Sequence, residues 1–185
     1  DTPHGLVPKL NAVVALSYVT TLVFDKTGTL GTNRLLFERL ELVEMPRAEV
    51  IERLQQLVGA TREKNRTIDA IESAFPGKTN VPIEEQAFSS ETKTSAVRVR
   101  LGNAEESLWL GAPEALATMA LTDVQQKTLE DLRRDGLRVV LLAASGSHIP
   151  QQEGMVGLAF IVLRDELRTD VQGAIAFYQS RGVHL

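Results

Sequence analysis

The stretch SAVRVRLGNAEESLWLG, Ser95 to Gly111, decides the fold, because the period of the chain changes there. Val97, Val99 and Leu101 alternate with Arg98 and Arg100, the period-2 pattern of a half-buried strand with its arginines turned outward. The segment GNAEE then turns the chain back into SLWLG, which makes the whole stretch a β-hairpin.

Working outward, the flanking segments carry the helical period. In PRAEVIERLQQLVGA the residues Val50, Ile51, Leu54, Leu57 and Val58 fall on one helical face, opened by Pro46 and closed by Gly59. RTIDAIESAF continues as a shorter helix that stops at Pro76-Gly77. APEALATMAL and TDVQQKTLEDLRRDG read as helices, with Thr122 and Gln125 spaced for a capping box and Gly136 where a C-terminal cap belongs. VTTLVF (19–24), LLFERLELVE (35–44), RVVLLAA and MVGLAFIVL have the length and β-branched content of strands, and RTDVQGAIAFYQSRG that of a last amphipathic helix before VHL.

An antiparallel, hairpin-containing middle is thus bracketed by a strand–Asp–turn in front and a strand–helix–strand start behind, the grammar of a parallel sheet. The expected architecture is an α/β domain interrupted by an α+β insertion with an antiparallel sheet and flanking helices. Only part of the outer domain is expected, since both ends look cut from something longer.

Composition narrows the function. At 185 residues and 43% hydrophobic content the chain has the make-up of one or two small globular domains. A net charge of −4 argues against a nucleic-acid or anionic-lipid surface, and without cysteine there is no disulfide or thiolate metal site. No apolar run approaches the length of a membrane span. His4, His148 and His184 are scattered without ligand spacing and read as free surface or loop histidines.

Chemistry enters at TLVFDKTGTLGTN, where a short apolar strand delivers Asp25 into a Thr/Gly-rich turn. A carboxylate at the carboxyl end of a parallel strand stands where open α/β sheets place their ligands, and the glycine lets backbone amides curl around phosphate. An Asp-initiated turn is the plain alternative. The full run Asp25-Lys26-Thr27-Gly28-Thr29-Leu30 matches the phosphorylation motif of P-type cation-transporting ATPases, and the chain resembles their large cytoplasmic loop from GLVPKLNAVVAL onward. Details of LGAPE, FSS…K and LRTDV…AFYQSRGV look most like a bacterial branch that includes calcium-linked pumps.

The resemblance implies a partial haloacid-dehalogenase-like phosphorylation domain over residues 1–34, a nucleotide-binding domain over 35–162, and a hinge with more of the phosphorylation domain over 163–185. It implies Asp25 as the nucleophile that takes the γ-phosphoryl group of ATP, flanked by Lys26 and Thr27. Mg²⁺ would be held by the Asp25 carboxylate and the Thr27 backbone carbonyl. Related phosphatases carry a second aspartate where Thr27 stands, and the hydroxyl cannot activate water in that way.

On the local pattern alone, Phe88 reads as a core aromatic and Lys93 as a solvated cation. The resemblance assigns them to adenine stacking and phosphate, through its Phe-Ser-x-x-x-Lys segment. It also places Gly111 and Ala112 as pocket backbone, Arg138 near ribose and phosphates, and Thr67 at the pocket mouth. Many relatives have lysine where Leu110 stands, so no basic role is carried to that position. LRDELRTD (163–170) resembles a hinge, with Glu166 in place of the usual proline and Asp165 and Arg168 placed to pair across it.

The parent is accordingly expected in a cell membrane, this segment on the cytoplasmic side, with ATP and a divalent cation as partners, no nucleic acid, and a monomeric fragment. Calcium is the favoured ion, with magnesium or another divalent ion as the alternative; heavy-metal pumps are less expected, because the resemblance implies a His-Pro pair in their nucleotide domain that this sequence lacks. Later family motifs that complete phosphoryl transfer fall beyond residue 185, so the chain alone is expected to bind nucleotide without turning it over. The competing readings are a soluble haloacid-dehalogenase-type phosphatase, which needs the second aspartate, and a non-catalytic nucleotide-binding module.

Overall fold

A computed structural model describes residues 20, 21, 23, 31–43, 45–116, 122–134 and 137–184. Asp25, Lys26 and Thr27, most of the strand expected at 19–24, and Gly136 lie outside the described residues. The chain divides into two compact units, residues 34–165 and residues 1–33 with 166–185.

The larger unit is built on a six-stranded antiparallel sheet in the order β1-β6-β5-β4-β3-β2. The strands are β1 (Gly31–Leu42), β2 (Glu84–Gln86), β3 (Thr94–Leu101), β4 (Ala104–Gly111), β5 (Arg138–Ser145) and β6 (Val156–Leu167). The hairpin of the opening stretch is β3–β4, with Ala96 opposite Trp109 and Arg98 opposite Ser107. β5 joins β4 with Leu142 opposite Leu110, and β6 joins β5 with Leu141 opposite Phe160, across a register shift at Leu142/Ala143.

Both faces of the sheet are covered, which is why RVVLLAA and MVGLAFIVL are apolar without alternation. On one face lie α1 (Arg47–Ala60) and α2 (Arg66–Ala74). They pack Val50, Leu54, Leu57, Ile68 and Ile71 against Val97, Val99, Leu108, Leu110, Leu142 and Ile161. On the other face a 3₁₀ turn, Pro113–Leu116, and α3 (Asp123–Arg134) bring Leu116, Leu129 and Leu132 onto Trp109, Leu141, Phe160 and Val162. Neighbours in sequence thus enter different cores, as a period of two requires. Each such side chain, once fully buried, contributes about 1.5–3 kcal/mol of transfer free energy.

The capping box forms as expected: Thr122 N donates to Gln125 Oε1 at 2.9 Å and Gln125 N to Thr122 Oγ1 at 3.3 Å. Two expectations need correction. Gly59 does not close α1, which runs on to Ala60; a Cβ there would sit 2.1 Å from Lys78 O. Its counterpart Gly77 would meet Gln55 O at 2.1 Å, so these glycines admit a close backbone crossing.

Arg98 does not face solvent. It is 6% exposed, and its Nη1 donates to Ser107 Oγ (3.1 Å), Gly146 O (3.1 Å) and Ser147 O (2.7 Å). A loop after β5 covers that end of the face, so polar partners rather than water receive the guanidinium. Residues 163–167, LRDEL, continue β6. The short β2, Glu-Glu-Gln, was not legible as a strand, since it is three polar residues on an edge.

In the smaller unit, α4 (Thr169–Ser180) begins directly after Arg168. Beyond it His184 pairs in parallel with Thr21, with His184 N donating to Thr20 O at 2.9 Å. That bridge is the parallel pairing expected of the outer domain, although β6, the strand before α4, belongs to the antiparallel sheet. Among the described residues no helix is long and apolar enough to cross a membrane.

Candidate functional site

A cavity of about 290 Å³ opens at the sheet end where β3 starts, β4 finishes and β5 starts. It is lined by Phe88, Lys93, Gly111, Ala112, Arg138 and Thr67, the six residues expected around a nucleotide, although they stand far apart in sequence. Asn65, Arg66, Ser95, Leu110, Val139 and Val140 complete the wall.

Local geometry explains how each is presented. Lys93 ends the turn before β3 in a left-handed conformation (φ 56°), uncommon for a residue with a side chain. The turn is tied by Lys93 N donating to Ser89 O at 2.7 Å and Glu91 N to Ser89 Oγ at 3.1 Å. Lys93 O accepts from Ala112 N at 3.1 Å, which fastens the turn to the exit of β4. At Gly111 a Cβ would stand 2.7 Å from both Lys93 O and Thr94 Cγ2, so only glycine lets the two segments meet. Phe88 is 47% exposed, a large ring left at the mouth rather than packed in the core.

Thr67 sits at the start of α2. Asn65 caps that helix, its Oδ1 accepting from Thr67 N at 3.0 Å and Ile68 N at 3.1 Å. Arg66, on the first turn, lines this cavity and also a second one of about 460 Å³ that includes Arg34, Asp69 and Arg164. Sequence reasoning missed Arg66. The cap signal Asn-x-Thr was available to find it, because a helix N-terminus aims its first-turn residues at whatever it faces.

Among the described residues, the cavity wall holds three cations and no carboxylate. The neighbouring Glu114 carboxyl is held below the usual carboxylate range first by its own backbone N–H, then by the charge and hydrogen bond of Arg133, with Lys93 adding a smaller attraction; burial opposes them. Arg133 Nη2 lies 2.6 Å from Glu114 Oε2, so that acid is committed to an ion pair. A positive, half-apolar cleft with an exposed ring can hold an anion attached to a planar group.

The other end of the sheet is built differently. Arg98 has Glu105 Oε2 3.5 Å from its Nε, and Ser107 Oγ donates to Ser147 O at 2.6 Å. Glu84 on β2 accepts from Ile149 N at 2.8 Å and contacts the His148 ring, which holds its carboxyl below the usual range. His148 is exposed but partnered, a correction to its reading as a free histidine. Among the described residues no group of His, Asp or Glu is arranged to hold a metal ion. The Mg²⁺ assignments to Asp25 and Thr27 fall outside them.

No family model and no curated protein matches the chain. Solved structures do. Two structures of zinc-transporting PIB-type ATPases, captured in different states, share its fold. One superposes with a TM-score of 0.65 at 20% identity, covering 93% of this chain and 26% of that one. The other gives 0.63 at 21% identity, covering 91% and 25%. At this identity the likeness is one of fold, and this chain spans about a quarter of those proteins' length.

Proposed function

We propose that this chain is the nucleotide-binding stretch, with part of the phosphorylation domain, of a P-type ATPase that couples ATP hydrolysis to cation transport. The observation that carries the reading is the convergence of Thr67, Phe88, Lys93, Gly111, Ala112 and Arg138 on one cavity whose described lining carries no carboxylate. The fold shared with the zinc-transporting ATPases and the run Asp25-Lys26-Thr27-Gly28-Thr29 support it.

In this reading the Phe88 ring stacks on the base and Lys93 and Arg138 neutralise the phosphates. Gly111 and Ala112 supply a flat backbone wall, and Thr67 contributes its hydroxyl at the mouth. The Asp25 carboxylate attacks the γ-phosphorus in line, the bond to the β,γ-bridging oxygen breaks, and ADP leaves. Lys26 adds positive charge beside the nucleophile, and Thr27 lacks the carboxyl that would hydrolyse the aspartyl-phosphate at once. Asp25 and the Thr27 carbonyl would hold Mg²⁺, which offsets charge on the transferring group. The two compact units correspond to an insertion, residues 34–165, and the flanking parts of an outer domain.

The parent protein sits in a cell membrane with this segment on the cytoplasmic side, and it moves a divalent cation. Calcium follows from the sequence resemblance and zinc from the structural neighbours' own activity; divalence is common to both. The chain alone binds ATP or ADP as a monomer.

Calorimetric titration with ATP tests the pocket. Lys93→Ala is expected to lower affinity at least about fivefold, the loss of one charge-assisted phosphate contact. Equal affinities for the parent chain and the variant would sink the assignment.

A further inference from the structure

We infer that Arg133 and Glu114 form a positioning pair for the phosphate end of the cavity: Arg133 holds the Glu114 carboxylate, so that the Lys93 ammonium stays available to an incoming phosphate. This rests on the nucleotide reading of the same cavity. Neither residue of the pair belongs to the described cavity wall.

The fold brings an acid to Lys93 and then occupies it. Lys93 O accepts from Ala112 N at 3.1 Å, and the absent Cβ of Gly111 lets the two segments meet. The 3₁₀ turn Pro113–Leu116 starts at the next residue, so Glu114 is carried on the segment fastened to the lysine. Its carboxylate feels the Lys93 charge, yet among the described residues no carboxylate pairs with that ammonium. Arg133 Nη2 donates to Glu114 Oε2 at 2.6 Å instead, and the Glu114 amide bonds its own carboxyl.

Buried neighbours anchor both partners. Pro113 and Leu116 are buried on either side of Glu114, and Leu129 and Leu132 fix the end of α3 ahead of Arg133. The two backbones are thus held at a set spacing that the side chains need only bridge. Without Arg133 the Glu114 carboxylate keeps its charge, and a lysine on a flexible four-carbon stem can turn to it. An internal carboxylate then competes with phosphate for one ammonium, and its negative charge repels the ligand.

The experiment is calorimetric titration of the 185-residue chain with ATP, on the parent chain, Arg133→Ala, Glu114→Gln and the double variant. Arg133→Ala is also placed in a Lys93→Ala background. The Arg133 side chain is half exposed, so the chain folds without it. Arg133→Ala is expected to weaken ATP binding about three- to fivefold, the upper range for an exposed ion pair. Glu114→Gln alone changes affinity less than about twofold, because its charge is already met, and added to Arg133→Ala it restores the parent affinity. In the Lys93→Ala background, Arg133→Ala costs less than about twofold. An Arg133→Ala chain that binds ATP like the parent overturns the inference while leaving the nucleotide site intact. So does a double variant as weak as Arg133→Ala, which makes Arg133 a ligand contact or a support of the fold. So does an undiminished loss in the Lys93→Ala background, which makes the effect one of net charge alone. Absence of ATP binding by the parent chain overturns the site itself, and the inference with it.

Discussion

The two ends of the sheet use arginine in opposite ways. At one end Arg98 is 6% exposed and surrounded by its own acceptors: Ser107, the carbonyls of Gly146 and Ser147, and Glu105. At the other, Arg138 and Lys93 stand exposed on a cavity whose described wall contains no acid. The first arrangement is closed: three acceptors take Nη1, and the Glu105 carboxylate lies 3.5 Å from Nε, which makes no hydrogen bond of its own, so the desolvated charge is met within the fold. The second keeps positive charge available to an outside anion. One residue type becomes a structural tie or a ligand contact according to whether the fold supplies its counter-groups.

The largest effect should come from separating these roles by substitution. Arg98→Ala empties a buried site and removes the guanidinium bonds to Ser107 Oγ and to the carbonyls of Gly146 and Ser147, and is expected to cost about 2–4 kcal/mol of stability. Arg138→Ala, at an exposed position, should stay within about 0.5 kcal/mol yet weaken ATP binding severalfold. Chemical denaturation and titration of both variants check the contrast. A loss below about 1 kcal/mol at Arg98, or a larger loss at Arg138 than at Arg98, would break it.

The smallest effect concerns the acid that helps fasten the closed end. Glu84 has its pKa lowered, first by the hydrogen bond from His148, then by the Ile149 amide, with burial opposing. A depressed carboxyl contributes stability that is present above its unfolded value of 4.5 and is lost as pH falls through the lower folded value. The Ile149 amide resonance should therefore titrate with an inflection below 4.5, and Glu84→Gln should abolish that step. An inflection at or above the unfolded value would mean that the contact does not favour the ionised form.

Much of this was legible in the sequence, and the reasons are local. The β3–β4 hairpin showed in the alternation of Val97, Val99 and Leu101, and the α3 cap in Thr122 and Gln125. The cavity residues were legible one at a time, through short segments such as Phe88 to Lys93 and Gly111-Ala112. Arg98 was misread because alternation assigns a residue to a face without saying what covers that face. Gly59 was misread because a glycine near a helix end signals a stop and a close crossing alike.

The sequence by itself determined the periods, the caps and the residue types available for phosphate chemistry, since those depend on neighbours along the chain. Only the tertiary structure decided that Thr67, Phe88, Lys93 and Arg138 share one cavity. It also decided that Asn65 uses its oxygen as a cap, and that Arg98 finds its acceptors within the fold while Lys93 and Arg138 line a wall without a carboxylate. Charge pairing and donor balance depend on distance in space, which sheet order and register set.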